Sequence, residues 1–139
     1  ERLAAAGYEH YEVSNYARPG ERAVHNSAYW QRRPYLGLGP SAHSGVGRDR
    51  WWNVREWAAY ERAACGGEAL VAGHERLDDE ARRLESLYLG LRTIDGVPAA
   101  EVADAERWIA AGWAERAGDR LRLTAEGWLR LDSLVAAAA

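Results

Sequence analysis

The pattern of apolar and polar positions is sharpest from residue 78 onward. Ala81, Leu84, Tyr88 and Leu91 recur at spacings of three and four, which predicts a helix with Asp78 or Asp79 at its cap. Asp95-Gly96 ends it. Pro98 stands where a first helical turn tolerates proline, so a short second helix is expected to about Ala103. A third is expected over Ala105 to Ala111, closed by Gly112. The strict alternation of Arg120-Leu121-Arg122-Leu123, preceded by Trp113 to Arg116 and the turn residues Ala117-Gly118-Asp119, predicts a hairpin. Thr124 can cap a closing helix that carries Trp128, Leu131, Leu134 and Val135 on one side. Three helices, a hairpin and a final helix predict a winged-helix-like domain over residues 78–139.

The first stretch, residues 1–48, has a different texture, dense in glycine, histidine and aromatic residues. Glu1 to Ala6 reads as a helix end with Gly7 closing it, followed by a strand over Tyr8 to Ser14 with Tyr11 and Val13 on one face. Helix, glycine, strand is the texture of an α/β layer. It would place Ser14-Asn15 at a carboxyl edge, where parallel α/β sheets bind ligands. Arg18-Pro19-Gly20 turns the chain. Residues 49–77 read as a connector, with Trp57, Tyr60 and Ala64 on one helical face, Gly66-Gly67 as its stop and Ala72-Gly73 as the boundary. The expected fold class is therefore α+β.

Composition narrows the possible functions. Of 139 residues, 47% are apolar and 28% charged, a balance that supports a packed core. No apolar run approaches the roughly 18 residues of a membrane span. A net charge of -3 argues against a broad nucleic-acid surface. All 18 basic residues are arginine, which points to a GC-rich genome. Cys65 is the only cysteine, so this chain alone can form neither an intramolecular disulfide nor a cysteine-ligated cluster. A lone thiol fits a reducing cytoplasm. The opening Glu1-Arg2-Leu3 lacks a secretory pattern and reads as the middle or end of a helix, so the chain is expected to be a piece of a longer protein.

Two segments carry candidate chemistry. In His25-Asn26-Ser27-Ala28-Tyr29-Trp30 an imidazole precedes two large rings by four and five residues. Heme iron takes a neutral nitrogen ligand and the porphyrin takes flat apolar walls, so His25 is a candidate axial ligand. Taken by residue type alone, a loop histidine beside aromatic residues is more often a packing or surface residue. Tyr35-Leu36-Gly37-Leu38-Gly39-Pro40-Ser41-Ala42-His43-Ser44 predicts a short strand with close backbone approach, then a loop of small hydroxyls and an imidazole. That segment fits a turn lying against a ligand or a tight packing strand; it is no dinucleotide fingerprint, because the third glycine is missing.

Taken together, these segments resemble one family. Tyr11 to Gly20 (YEVSNYARPG), His25 to Trp30 (HNxxYW), Tyr35 to Ser44 (YLGLGPSAHS), Arg50 to Asn53, Glu85 to Gly96 and Leu123 to Gly127 stand in the order found in the HemW-type heme-chaperone branch of the oxygen-independent coproporphyrinogen III oxidases. The departures are Tyr16 in place of a frequent phenylalanine and an unmatched connector around Cys65. The resemblance implies a parent with a radical-SAM barrel that holds a [4Fe–4S] cluster and S-adenosylmethionine outside this chain. It further implies that residues 1–48 are the final barrel strands with the heme-motif loop, and that residues 78–139 are the C-terminal domain. It makes His25 the heme-iron ligand, with Asn26, Tyr29 and Trp30 as the pocket, and heme and a heme-accepting protein as partners. No catalytic residue is expected in this part. Two alternatives stand beside it: a piece of a true coproporphyrinogen oxidase, and a winged-helix DNA-binding module. The second is disfavoured because Arg107, on the helix that would enter the groove, is flanked by Asp104 and Glu106.

Overall fold

The computed structural model describes residues 2–138. Along the chain run α1 (Arg2–Ala5), β1 (Glu9–Glu12), β2 (Asn15–Ala17), α2 (Val24–Trp30), β3 (His43–Val46) and β4 (Asp49–Asn53). There follow α3 (Trp57–Gly66), β5 (Val71–Arg76), α4 (Asp79–Leu91), β6 (Val97–Pro98), a 3-10 turn (Ala99–Glu101) and α5 (Ala105–Ala110). The chain closes with β7 (Ala114–Ala117), β8 (Arg120–Leu123), α6 (Ala125–Trp128) and α7 (Leu131–Ala137). Two compact units result: one joins the chain up to Gln31 with Arg83 onward, and the other is Arg32–Arg82. This division cuts across the three consecutive stretches read from the sequence.

The first unit holds the main apolar core. Leu87 and Leu91 of α4, Trp108 of α5, Leu121 and Leu123 of β8, and Trp128, Leu131, Leu134 and Val135 near the C-terminus are buried together. The helical and alternating spacings of the sequence supply these faces directly. Asp78 is the cap of α4, its Oδ1 accepting from the Ala81 amide at 2.8 Å. Thr124 caps α6 by accepting from the Gly127 amide at 3.2 Å. Pro98 differs from expectation: it lies in β6, which pairs with β8 and so completes a three-stranded sheet in the order β6-β8-β7. The closing helix also divides, because the turn at Leu129-Arg130 redirects the chain between α6 and α7.

The N-terminal strand departs further from the sequence reading. β1 turns back at once into β2 as an antiparallel hairpin, with a register shift between His10 and Glu12. The bulge turns two successive residues inward, so Tyr11 and Glu12 are both buried where simple alternation would bury only Tyr11. Ser14 and Asn15, expected at a ligand-facing strand edge, instead bind the Glu12 carboxylate. The described residues thus show a hairpin at this point, with no parallel strand beside it.

In the second unit, β3, β4 and β5 form an antiparallel sheet in chain order. The short strand expected from the alternating leucine and glycine after Tyr35 is a loop anchored by a single bridge from Tyr35 to Gly45, and the strand begins at His43. α3 ends where expected, on Gly67 in the left-handed conformation. Its buried face is centred on Ala63, while Trp57 and Ala64 are exposed. Gly73, expected at a boundary, sits mid-strand in β5. A Cβ there would stand 2.5 Å from the Trp52 indole, so glycine is required by packing.

Candidate functional site

The segment His25 to Trp30, read from sequence as a loop, forms the helix α2. Helical geometry then separates its members. His25 and Tyr29 are one turn apart and meet edge to face, ring centroids 4.8 Å apart at 86°. Ser27, Trp30 and Gln31 fall at the complementary spacing on the opposite side. That side faces a cavity of about 210 Å³, lined also by Tyr11, Arg22 and Thr93. His25, Asn26 and Tyr29 are exposed and Trp30 is partly buried. The four residues therefore do not line one pocket: His25 and Tyr29 are brought together, and Trp30 is turned away from them.

Tyr11 fixes this helix. It is 3% exposed, and its hydroxyl accepts from the Ala23 amide at 3.2 Å, just before α2. Its ring meets Trp30 at the other end of the helix, centroids 5.8 Å apart at 61°. The Arg22 guanidinium lies 5.5 Å over the same ring and bridges Glu9 at 2.9 Å and Asp95 at 3.1 Å. One tyrosine thus holds both ends of the helix that carries His25. Tyr11→Phe, which keeps the ring and removes the acceptor, should cost about 1 kcal/mol and speed amide exchange across 23–30. Unchanged exchange there would show that the hydroxyl does not hold the helix.

Behind the hairpin, Glu12 is fully buried. Its Oε2 accepts from Asn15 Nδ2 at 2.5 Å, the Ser14 amide at 3.0 Å and the Ser14 hydroxyl at 3.1 Å. Its Oε1 lies 2.6 Å from Arg92 Nε, an ion-pair distance at which the N–H does not point along the contact, so the oxygen receives no hydrogen bond. Burial pushes the Glu12 carboxyl up, but Asn15, Ser14 and the Arg92 charge outweigh it and hold the group below its ordinary value. Sequence reading missed this hub. Glu12 looked like the polar side of an alternating strand, and nothing local announces a partner at Arg92.

The chemistry available at α2 is that of an exposed imidazole with an aromatic edge beside it. Such a group suits heme iron as an axial ligand. The cavity behind it does not suit an enclosed macrocycle, being smaller than the roughly 300–1,000 Å³ of usual ligand sites. Among the described residues no group of three or more His, Cys, Asp and Glu could hold a metal ion, and no helix is long and apolar enough to cross a membrane. Glu106 on α5, the helix that a DNA reading would place in a groove, is paired with Arg116.

No protein-family model matches the chain. The heme chaperone HemW of Mycobacterium tuberculosis is 41% identical over 96% of the chain, which spans 36% of that protein. The heme chaperone HemW of a Synechocystis strain is 38% identical over 72% of the chain, covering 25% of that relative. The mitochondrial radical S-adenosyl methionine domain-containing protein 1 of Bos taurus is 34% identical over 79% of the chain and 22% of its own length. Among solved structures, the coproporphyrinogen III oxidase HemN of Escherichia coli, described as a radical SAM enzyme, matches with a TM-score of 0.66. That match covers 99% of this chain and 38% of HemN, at 16% identity, and shows a shared fold. The chain thus spans between 22% and 38% of the length of these proteins.

Proposed function

Because the chain belongs to the HemW family of heme chaperones, we propose that it serves heme carriage, with the His25 imidazole as axial ligand to the iron. Heme is the cargo here, held for transfer to an accepting protein. The observation that carries this reading is the accessibility of His25 within HNxxYW: the imidazole is exposed on α2 and makes one ring contact, with Tyr29. Tyr29 supplies an aromatic edge beside the ligand. Asn26 stands exposed on the same helix, and Trp30 braces the helix from behind through Tyr11. An open ligand suits a carrier that must release its cargo, since an enclosed porphyrin would leave slowly.

In this reading the chain is the C-terminal part of its parent. The β1–β2 hairpin with α2 would adjoin the end of a radical-SAM barrel. The arrangement of α4, β6, α5 and the β7–β8 hairpin would be its winged-helix-like domain. The [4Fe–4S] cluster and S-adenosylmethionine would belong to the parent's other part, because Cys65 cannot hold a cluster alone. An exposed thiol of this kind fits work in the cytoplasm.

A hemin titration followed in the Soret region tests the reading. The wild-type chain should give a saturable, shifted band, and His25→Ala should weaken binding at least tenfold. Identical titrations of the two proteins would remove His25 from the account while leaving the family assignment in place.

A further inference from the structure

The sheet of the second unit carries an open cleft of about 360 Å³, lined by Ser41, His43, Trp52, Asn53, Arg55 and Ala72. That volume lies within the roughly 300–1,000 Å³ of small-molecule sites. Its floor is aromatic. His43 and Trp52 are direct partners across β3 and β4, with ring centroids 5.8 Å apart and planes tilted by 33°. The indole lies close against β5, an approach that Gly73 permits because it carries no Cβ.

The rim is polar and held in place from behind. Buried Asn53 donates through Nδ2 to the Gly39 carbonyl at 2.9 Å, the Ser41 amide bonds the Val54 carbonyl at 3.0 Å, and the Gly39 amide bonds the Tyr60 hydroxyl at 3.1 Å. Ser41 has φ +59°, in a turn closed by the Ala42 amide on the Gly39 carbonyl at 3.3 Å. That turn position favours glycine, and side chains held there against preference gather at ligand sites. Serine at this position sets a hydroxyl on the cleft.

Among the described residues, the Ser41 hydroxyl, the His43 imidazole nitrogens and the Arg55 guanidinium have no hydrogen-bonding or ionic partner within the chain. The neighbouring acid does not neutralise Arg55, because the Glu56 carboxylate caps α3 through the Ala58 and Ala59 amides. Arg22, Arg48, Arg76, Arg92, Arg116, Arg122 and Arg130 are matched with carboxylates, whereas Arg55, like Arg2, Arg33 and Arg107, is not; what sets Arg55 apart is its place on the cleft. An aromatic floor beside a cation without an acid, a hydroxyl and an imidazole is the chemistry of a flat ring bearing a negative group.

We propose that this cleft binds a planar aromatic ligand carrying a carboxylate or a phosphate. The ring lies on Trp52 and His43, and the anion is held by Arg55 with Ser41 donating a hydrogen bond. The site stands in a different unit from His25 and does not depend on His25 ligating iron.

Equilibrium dialysis of the full chain against two probes tests it: metal-free mesoporphyrin IX, a flat dicarboxylate with no iron for a histidine to ligate, and adenosine monophosphate, a flat base with a phosphate. At least one probe should bind saturably. Porphyrin binding alone would identify the anion as a propionate, and nucleotide binding alone would identify it as a phosphate. In either case Arg55→Gln should weaken binding about tenfold, Trp52→Ala should abolish it, and His25→Ala should leave it unchanged. Arg55 is exposed, so its replacement keeps the fold and carries the test even if Trp52→Ala disturbs the sheet. Failure of both probes, or binding indifferent to Arg55→Gln, would overturn the proposal.

Discussion

Arg92→Ala should be among the most destabilising single substitutions in this chain, at about 3 kcal/mol, the low end of the range for breaking a buried ion pair. Its partner Glu12 is fully buried and would keep its charge without a counter-ion, while Arg92 itself is 26% exposed, which discounts the loss. The expected result is a lowered denaturation midpoint with the slope unchanged. Adding Glu12→Gln to Arg92→Ala should recover part of the loss, because the stranded charge is then removed. A double variant no more stable than Arg92→Ala would show that the Glu12 charge is held by Ser14 and Asn15 alone.

The same residue gives stability a pH dependence. The folded-state pKa of Glu12 is lowered from the ordinary carboxylate value, so the folded protein holds the ionised form more favourably than the unfolded chain does. That contribution is fully present above the unfolded carboxylate value, roughly 4.3, and is lost as pH falls through the lower folded value. Acid unfolding should therefore begin below about pH 4 and be shallower in Glu12→Gln.

Trp128→Ala should cost about 3–5 kcal/mol through two losses at once. The indole fills the core beside Leu131 and Leu134, and its Nε1 donates to the Leu91 carbonyl at 2.9 Å in a buried hydrogen bond. Removal leaves a cavity and an unsatisfied carbonyl near the end of α4. Trp128→Phe retains most of the volume and should cost about half as much, chiefly the hydrogen bond. Thermal unfolding of the two variants checks the division; equal losses would mean that packing contributes little. The edge of Trp128 also meets His10 on the hairpin, ring centroids 4.5 Å apart at 71°, so the alanine variant should loosen β1 as well.

How far the sequence discloses this molecule depends on whether the decisive contact is local. The helix α4, its cap at Asp78, the β7–β8 hairpin and the Thr124 cap follow from spacing and side-chain chemistry within a dozen residues, and all were legible. What was not legible is pairing at a distance. Pro98 carries no local sign that β8 will take it as an edge partner. Gly73 reads as punctuation until the Trp52 indole is known to lie against it. Glu12 reads as a solvated strand residue until the bulge turns it toward Arg92.

The candidate site divides in the same way. His25 is a candidate because the ordered motif around it marks it, and its contact with Tyr29 follows from a spacing of four once the segment is helical. The opposite facing of Trp30 could not be read while the segment looked like a loop, since only helical geometry sets positions 27, 30 and 31 against positions 25 and 29. Arg55 has no sequence signature, being an arginine in a turn; the cross-strand pairing of His43 with Trp52 gives it a context.

Ligation of heme iron by His25 is tested most directly by resonance Raman spectroscopy of the heme complex after reduction to the ferrous state. The wild-type chain should show an iron–histidine stretching band. That band should vanish in His25→Ala and persist when His10, His43 or His74, the other three of the four histidines, is replaced in turn. A band that survives in His25→Ala, or that disappears with one of the other three, would contradict the account.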